Sequence, residues 1–285
     1  MERIVDTHCH FWSRAASSWL DGDYGAMERD WGPDDHRARS APEGVSRCVI
    51  VEAGSTDAEN QHIIDIAARD DIVGGLILWA PAGDPQFAAR LDRWQRLPKF
   101  RGVRMGFEQH PDADIARQPA VVEQLKELAR RGLIHDFLPL VRHLDDLAAT
   151  LERVPDLHAI IEHYAKPDFD GTFDPAWERA MRRMAENTNV RCKLSLSPQV
   201  TGMKQLAAAT PAGWPVDAIR PYTQLYLEAF GTDRLMWGSD WPVVEVTTTY
   251  TGMLDTHRQT LGVLDPVDEA KLFRTNAEAF YRLEA

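Results

Sequence analysis

The sequence predicts a single (β/α)8 barrel spanning residues 1–285, with long loops after its first and seventh strands. Three observations carry this reading. Eight short apolar runs punctuate the chain, at residues 4–11, 47–53, 72–80, 100–106, 136–141, 158–163, 190–196 and 234–240. Most are rich in Val, Ile and Leu without strict alternation, as strands covered on both faces of a parallel sheet are. Helical stretches lie between them, and eight such units close most economically into a barrel. The doubly wound open sheet that competes with it usually carries a glycine-rich first turn. Here that turn is His10-Phe11-Trp12-Ser13.

Each element contributes in order. The first strand carries Asp6-Thr7-His8-Cys9-His10, and residues two apart in a strand share a face, so His8 and His10 look out together at its C-terminal end. The insertion that follows, 11–46, holds Trp12, Trp19 and Trp31, aromatics suited either to stack on a sugar-like ring or to pack the loop down. The second strand ends at Glu52, a ligand or a partner to a cation, and Asp57 caps a helix over 58–69. Asp84-Pro85 and Asp174-Pro175 read as N-caps followed by proline at the first helical position. Arg104 stands near the top of strand four, and a helix over 118–131 stops at Gly132. Strand five offers no histidine at its top. In strand six, alternation sets Ala159, Ile161 and His163 against His158, Ile160 and Glu162. The first set suits the barrel interior, with His163 at the strand's end. Strand seven carries Lys193, and the loop 197–216 after it holds Trp214. Strand eight runs out at Asp240, within Gly238-Ser239-Asp240-Trp241-Pro242. The histidines at 36, 62, 110, 135, 143 and 257 fall in loops or on helical faces and receive no role. Ser195 and Ser239 lack a nucleophile-elbow pattern.

Composition excludes several classes. The 285 residues are 44% hydrophobic and 27% charged, which rules out a disordered chain. A net charge of −12 disfavours nucleic-acid and anionic membrane partners. No run nears the roughly 18 apolar residues of a membrane span, and no signal-peptide pattern opens the chain. Cys9, Cys48 and Cys192 are too sparse for a disulfide framework, so a reducing cytoplasm is expected. Assembly into a homo-oligomer is left open.

The chemistry gathers at the strand ends. Two imidazoles together hold a divalent metal or bind one oxyanion. A carboxylate such as Asp240 accepts a proton from water and returns it to a leaving group. Arg104 and Lys193 need partners inside a barrel, because a lone buried charge is expensive. Asp240 or substrate oxygens are the expected partners.

Six blocks then show a family resemblance: Asp6-Thr7-His8-Cys9-His10-Phe11-Trp12, Phe100-Arg101-Gly102-Val103-Arg104, His163-Tyr164-Ala165-Lys166-Pro167, Cys192-Lys193-Leu194-Ser195, Gly238-Ser239-Asp240-Trp241-Pro242 and Asn276-Ala277-Glu278-Ala279-Phe280-Tyr281. In this order and spacing the chain resembles the amidohydrolase-related family, in its sugar-lactonase and 2-pyrone-4,6-dicarboxylate lactonase branch. The resemblance implies a (β/α)8 barrel that hydrolyses lactones, with His8, His10, His163 and Asp240 as the active-site set. Asp240 and His163 are then expected to be catalytic, His8 and His10 to hold the metal, and Arg104, Lys193, Glu52 and Trp241 to contact substrate. Strand five lacks a histidine and strand four a terminal lysine, so a two-metal centre is not expected. At most one divalent ion, zinc, is expected near His8 and His10, with activity only partly dependent on it. A metal-dependent decarboxylase of an aromatic or unsaturated acid, and a barrel that binds a sugar without catalysis, are the rival readings.

Overall fold

In the computed structural model, which describes residues 3–17, 20, 27–197 and 209–283, eight parallel strands stand in sequential order around a barrel. They are β1 (Ile4–Cys9), β2 (Val45–Val51), β3 (Val73–Trp79), β4 (Phe100–Arg104), β5 (Ile134–Phe137), β6 (His158–Ile161), β7 (Val190–Leu194) and β8 (Leu235–Trp237). The last joins the first through Thr7 Oγ1 donating to the Trp237 carbonyl at 2.7 Å, and through Asp240 N–H donating to the His8 carbonyl at 2.9 Å. A helix follows each strand: α1 (Pro33–Ser40), α2 (Asp57–Arg69), α3 (Phe87–Trp94), α4 (Pro119–Arg131), α5 (Leu144–Arg153), α6 (Pro175–Ala185), α7 (Val216–Phe230) and α8 (Tyr250–Leu261). A final α9 (Pro266–Ala270) leads through one π-helical turn into α10 (Asn276–Phe280).

The helix signals act at most of the expected places. Asp174 accepts from the N–H groups of Ala176 and Trp177, and α4 stops at Gly132 with φ 61°. Two differ. The cap of α2 is Thr56, whose hydroxyl accepts from Glu59 N–H, rather than Asp57. Asp84 closes a turn onto Gln86 N–H and pairs with Arg90, so α3 begins later than the Asp-Pro signal suggests.

Inside the barrel the side chains sort into two layers. The lower layer is apolar: Val5, Val49, Val51, Ile77, Ile134, Ile160 and Met236 pack with Ala277, Phe280, Tyr281 and Leu283 from the C-terminal segment, which plugs that end. The upper layer is charged, with Glu52, Arg104, Asp136, Glu162 and Lys193 all buried. The outward residues of the same strands, among them Cys48, Ile50, Leu78, Val103, Ala159, Ile161 and Leu194, belong to the shell packed against the helices. This reverses the expected faces of β6: Ile160 and Glu162 look inward, and Ala159 and Ile161 outward. An apolar set does not mark the interior, because in a barrel both faces are dry and only the inner one gathers countercharges such as Glu162 near its mouth.

No helix among the described residues is long and apolar enough to cross a membrane. Cys9, Cys48 and Cys192 are free and buried.

Candidate active site

The cavity at the C-terminal mouth has a volume of about 740 Å³, and His10, His163, Arg104, Lys166, Glu108 and Asp240 are among its lining residues. Behind its lining, a staple ties the first strand to the segment that follows the last. The carboxylate of Asp6 accepts from Ser239 N–H at 2.9 Å, Ser239 Oγ at 2.6 Å, Tyr250 OH at 2.9 Å and His36 Nε2 at 3.2 Å. His36 is therefore a buried structural group, not a loop residue without a role. Next to the staple, Gly238 lies so close to β1 that an added Cβ would stand 2.7 Å from the His8 Cβ. The chain then turns with Asp240 at φ 57°, which lifts its carboxylate over the two histidines.

Three imidazoles and one carboxylate converge. His8 Nε2 and His10 Nε2 are 3.1 Å apart. Asp240 Oδ1 lies 3.2 Å from His10 Nε2, 3.4 Å from His8 Nε2 and 3.8 Å from His163 Nε2. The far nitrogens are all occupied. His10 Nδ1 donates to the Val51 carbonyl at 2.8 Å, His8 Nδ1 faces Glu162 Oε1 at 3.0 Å, and His163 Nδ1 bonds Ser195 Oγ at 2.9 Å. Where His10 Nδ1 donates to Val51, and His8 Nδ1 to Glu162 rather than accepting from Lys193 Nζ at 3.2 Å, each Nε2 keeps a lone pair aimed at the same point. Burial pushes the His8 imidazole down to about 4 and holds His163 well below its usual range, so both are neutral at pH 7. Burial opposes ionisation of Asp240, but His163, His10 and His8 outweigh it and keep the carboxyl below its usual range.

Beneath this point runs a buried ion network. Arg104 donates through Nε to Glu52 Oε1 at 2.7 Å and through Nη1 to Glu162 Oε2 at 3.0 Å, and Nη2 reaches the Glu52 carbonyl. Lys193 Nζ donates to Asp136 Oδ2 at 2.5 Å and stands 3.4 Å from Glu162 Oε1. Burial opposes the ionised form of Glu162, yet His8, Arg104 and Lys193 hold its carboxyl well below the usual range. Burial and Glu162 push Asp136 well above it.

The donor set fits one divalent ion. Tetrahedral ligands at 2.0–2.1 Å from zinc stand about 3.3 Å from each other, close to the spacings of His8, His10 and Asp240. Those three residues form a buried group with metal-ligating atoms mutually within 4.8 Å, and His8, Glu162 and His163 form a second that shares His8. Asp240 Oδ2 is buried with no hydrogen-bond partner. Around it Glu52, Glu162 and Asp240 outnumber Arg104 and Lys193, so the centre carries excess negative charge.

The sequence-predicted residues divide. His8, His10, His163 and Asp240 meet at one point. Arg104 lines the cavity, but its guanidinium is committed to Glu52 and Glu162. Lys193 is wholly buried beneath the floor, paired with Asp136, and does not line the cavity. Glu52 holds Arg104 and accepts from Ser55 N–H at 2.9 Å. Trp241 corrects the expectation of a substrate contact. It is fully buried, packs on Phe11, Trp31 and His36, and donates its indole N–H to Glu245 at 2.9 Å. Of the loop tryptophans, Trp12 lines the cavity, Trp31 and Trp214 do not, and Trp19 lies outside the described residues. Sequence reasoning missed Glu162, Glu108 and Lys166. In-phase charges one residue from the end of apolar strands were the available signal for the first.

This barrel, with its histidine pair on β1 and its aspartate after β8, defines the class: the chain belongs to the amidohydrolase family, whose profile matches residues 5–283. The chain is 32% identical to an L-fucono-1,5-lactonase of Burkholderia ambifaria, over 98% of this chain and 96% of that one. It is 28% identical to an L-fucono-1,5-lactonase of Burkholderia multivorans, over 86% and 84%. A solved amidohydrolase of Burkholderia multivorans with bound zinc superposes with a TM-score of 0.85 at 25% identity, covering 99% of this chain and all, 100%, of that one.

Proposed function

We propose that the chain is a lactonase that opens a neutral sugar lactone, an aldonolactone such as L-fuconolactone, by attack of water. The observation that carries this reading is the Asp240 carboxylate, whose Oδ1 stands where three imidazoles converge while its Oδ2 is buried without a hydrogen-bond partner. A water bonded to Oδ2 lies beside any carbonyl held there. Its oxygen forms the new bond to the carbonyl carbon while its proton passes to Asp240. The ring C–O bond then breaks, and Asp240 returns the proton to the departing ring oxygen, leaving a hydroxy acid. A carboxylate with a lowered pKa is a weak base, adequate for an activated ester and quick to pass the proton on.

His8, His10 and Asp240 would hold one divalent ion, zinc by the preference of nitrogen and carboxylate ligands. When bound, it supplies Lewis-acid polarisation of the carbonyl. His163 faces the same point with its orientation set by Ser195. Glu162 fixes the tautomer of His8.

The cavity disfavours a carboxylate-bearing substrate. Among the described lining residues Arg104 is paired with Glu52 and Glu162, and Lys166 is paired with Glu108 at 2.7 Å. An aromatic acid or dicarboxylate lactone finds no uncommitted cation there, which also weighs against the decarboxylase. Buried free thiols fit a reducing cytoplasm. The test is acid release from a panel of neutral aldonolactones, a pyrone dicarboxylate and an aromatic acid. Turnover of the neutral lactones supports the reading; carbon dioxide release from the aromatic acid without lactone cleavage overturns it.

A further inference from the structure

The mouth of the cavity carries an ion pair that the reaction at Asp240 does not use. Lys166 Nζ donates to Glu108 Oε1 at 2.7 Å, with the lysine side chain 3% and the glutamate side chain 22% exposed. Both residues line the cavity alongside Asp240 and His163. A surface salt bridge would carry little meaning. This one is held on both sides by rigid structure.

Lys166 closes an unusual stretch of backbone. His163, Tyr164, Ala165 and Lys166 all take left-handed conformations, with φ of 49°, 55°, 55° and 55°. Left-handed geometry costs a non-glycine residue on the order of 1 kcal/mol or more, so a run of four persists only where the surroundings impose it. They do. Trp177 donates its indole N–H to the Tyr164 carbonyl at 2.6 Å, Tyr164 OH bonds Thr223 Oγ1 at 2.9 Å, and Lys166 N–H closes onto the His163 carbonyl at 2.8 Å. The turn sends His163 to the reacting point and Lys166 to the rim from one rigid segment. On the other side, Arg142 Nη2 donates to the carbonyls of Glu108 and His110, each at 3.1 Å, and clamps the loop that presents Glu108.

We infer that the Lys166–Glu108 pair is a recognition site for two neighbouring hydroxyls of the substrate ring. This rests on the lactone reading above and names which feature of the lactone is read. The pair offers a donor and an acceptor 2.7 Å apart. The oxygens of two gauche neighbouring hydroxyls are separated by about 2.8 Å, the length of an O–H···O bond. One hydroxyl accepts from the ammonium while the other donates to the carboxylate. Other ligand chemistries fit worse. A carboxylate drawn to Lys166 meets Glu108 at once, and a ring without hydroxyls strips water from both charges and returns nothing.

The experiment compares Lys166→Met and Glu108→Gln with the wild type on two six-membered lactones, one fully hydroxylated and one unsubstituted. The expected result is that the ratio of kcat/KM between the hydroxylated and the unsubstituted lactone falls at least tenfold in each variant, mainly through KM. Equal loss on both lactones, or no loss, overturns the inference. A second measurement does not depend on turnover: calorimetric binding of a 1,5-anhydrohexitol, which keeps the hydroxylated ring but cannot be hydrolysed, against tetrahydropyran. The wild type should bind the polyol and both variants should lose at least tenfold in affinity. No polyol binding by the wild type, or unchanged binding in the variants, overturns the inference. Polyol binding lost in the variants of a protein that cleaves no lactone would uphold this site and sink the lactonase reading instead.

Discussion

The Nε2 atoms of His8 and His10 face each other at 3.1 Å while the Nδ1 atom of each is engaged by Glu162 and by the Val51 carbonyl. Imidazole lone pairs brought that close repel unless a cation or a proton sits between them. With Asp240 at 3.2 and 3.4 Å from the same atoms, the three side chains together offer ligand atoms for a divalent ion.

Zinc should therefore raise the thermal midpoint of the wild type. At a hundred times its Kd an ion that binds only the folded state adds about 2.7 kcal/mol of stability. The double variant His8→Ala, His10→Ala should show no shift, and metal analysis should find no more than one ion per chain. Two tightly held ions, with activity abolished by chelation, would show that the ligand set has been misread.

Asp240→Asn keeps the shape of the side chain and removes the base. Lactone kcat should fall by about 10²–10⁴, the usual range for loss of a positioned acid–base group, with the circular dichroism spectrum unchanged. Near wild-type turnover would remove Asp240 from the mechanism.

Glu162→Gln tests positioning. The carboxylate bonds His8 Nδ1 and Arg104 Nη1, each at 3.0 Å, and faces Lys193 at 3.4 Å. Removing one member of a buried ion pair costs about 3–5 kcal/mol, which urea unfolding would read. In the fraction that stays folded, zinc affinity should drop about 10–100-fold, as for other partners of metal-bound histidines. A stability loss with unchanged zinc affinity would make Glu162 purely structural.

His135 makes acid sensitivity testable away from the site. It is buried against Phe137 and Phe107, and neither ring nitrogen has a hydrogen-bond partner. Burial pushes it from an ordinary 6.5 down to about 3. Between those values the unfolded chain binds a proton that the folded one refuses. Stability is thus retained above about pH 6.5 and lost as the pH falls toward 3, by about 1.4 kcal/mol per unit. His135→Leu removes this loss, so the variant should gain about 2 kcal/mol relative to wild type between pH 7 and pH 5 in urea unfolding. Parallel pH dependences for the two proteins would refute the assignment.

Much of the barrel was legible residue by residue. Six of the eight apolar runs overlie their strands with trimmed ends, while β2 and β5 each start two residues earlier than expected, at Val45 and Ile134, where the polar Ser46 and His135 interrupt the apolar pattern. His8, His10, His163 and Asp240 were readable because each is a polar group at the end of an apolar strand. Glu108 and Lys166 were not, because they lie in loops whose paths no period governs.

By itself the sequence determined the strand–helix alternation, the histidine pair on one face of β1 and the aspartate beyond β8. These follow from local rules: a period of two along a strand, caps and stops at helix ends, and the short reach of the chain between neighbours. Only the tertiary structure decided which polar groups satisfy one another. It turned Glu162 inward to hold His8, sank Lys193 beneath the floor onto Asp136, buried Trp241 against Trp31 and His36, and set Lys166 against Glu108 across the mouth. Those pairings join residues distant in sequence, and their energies depend on separation and burial in three dimensions, which no linear pattern encodes.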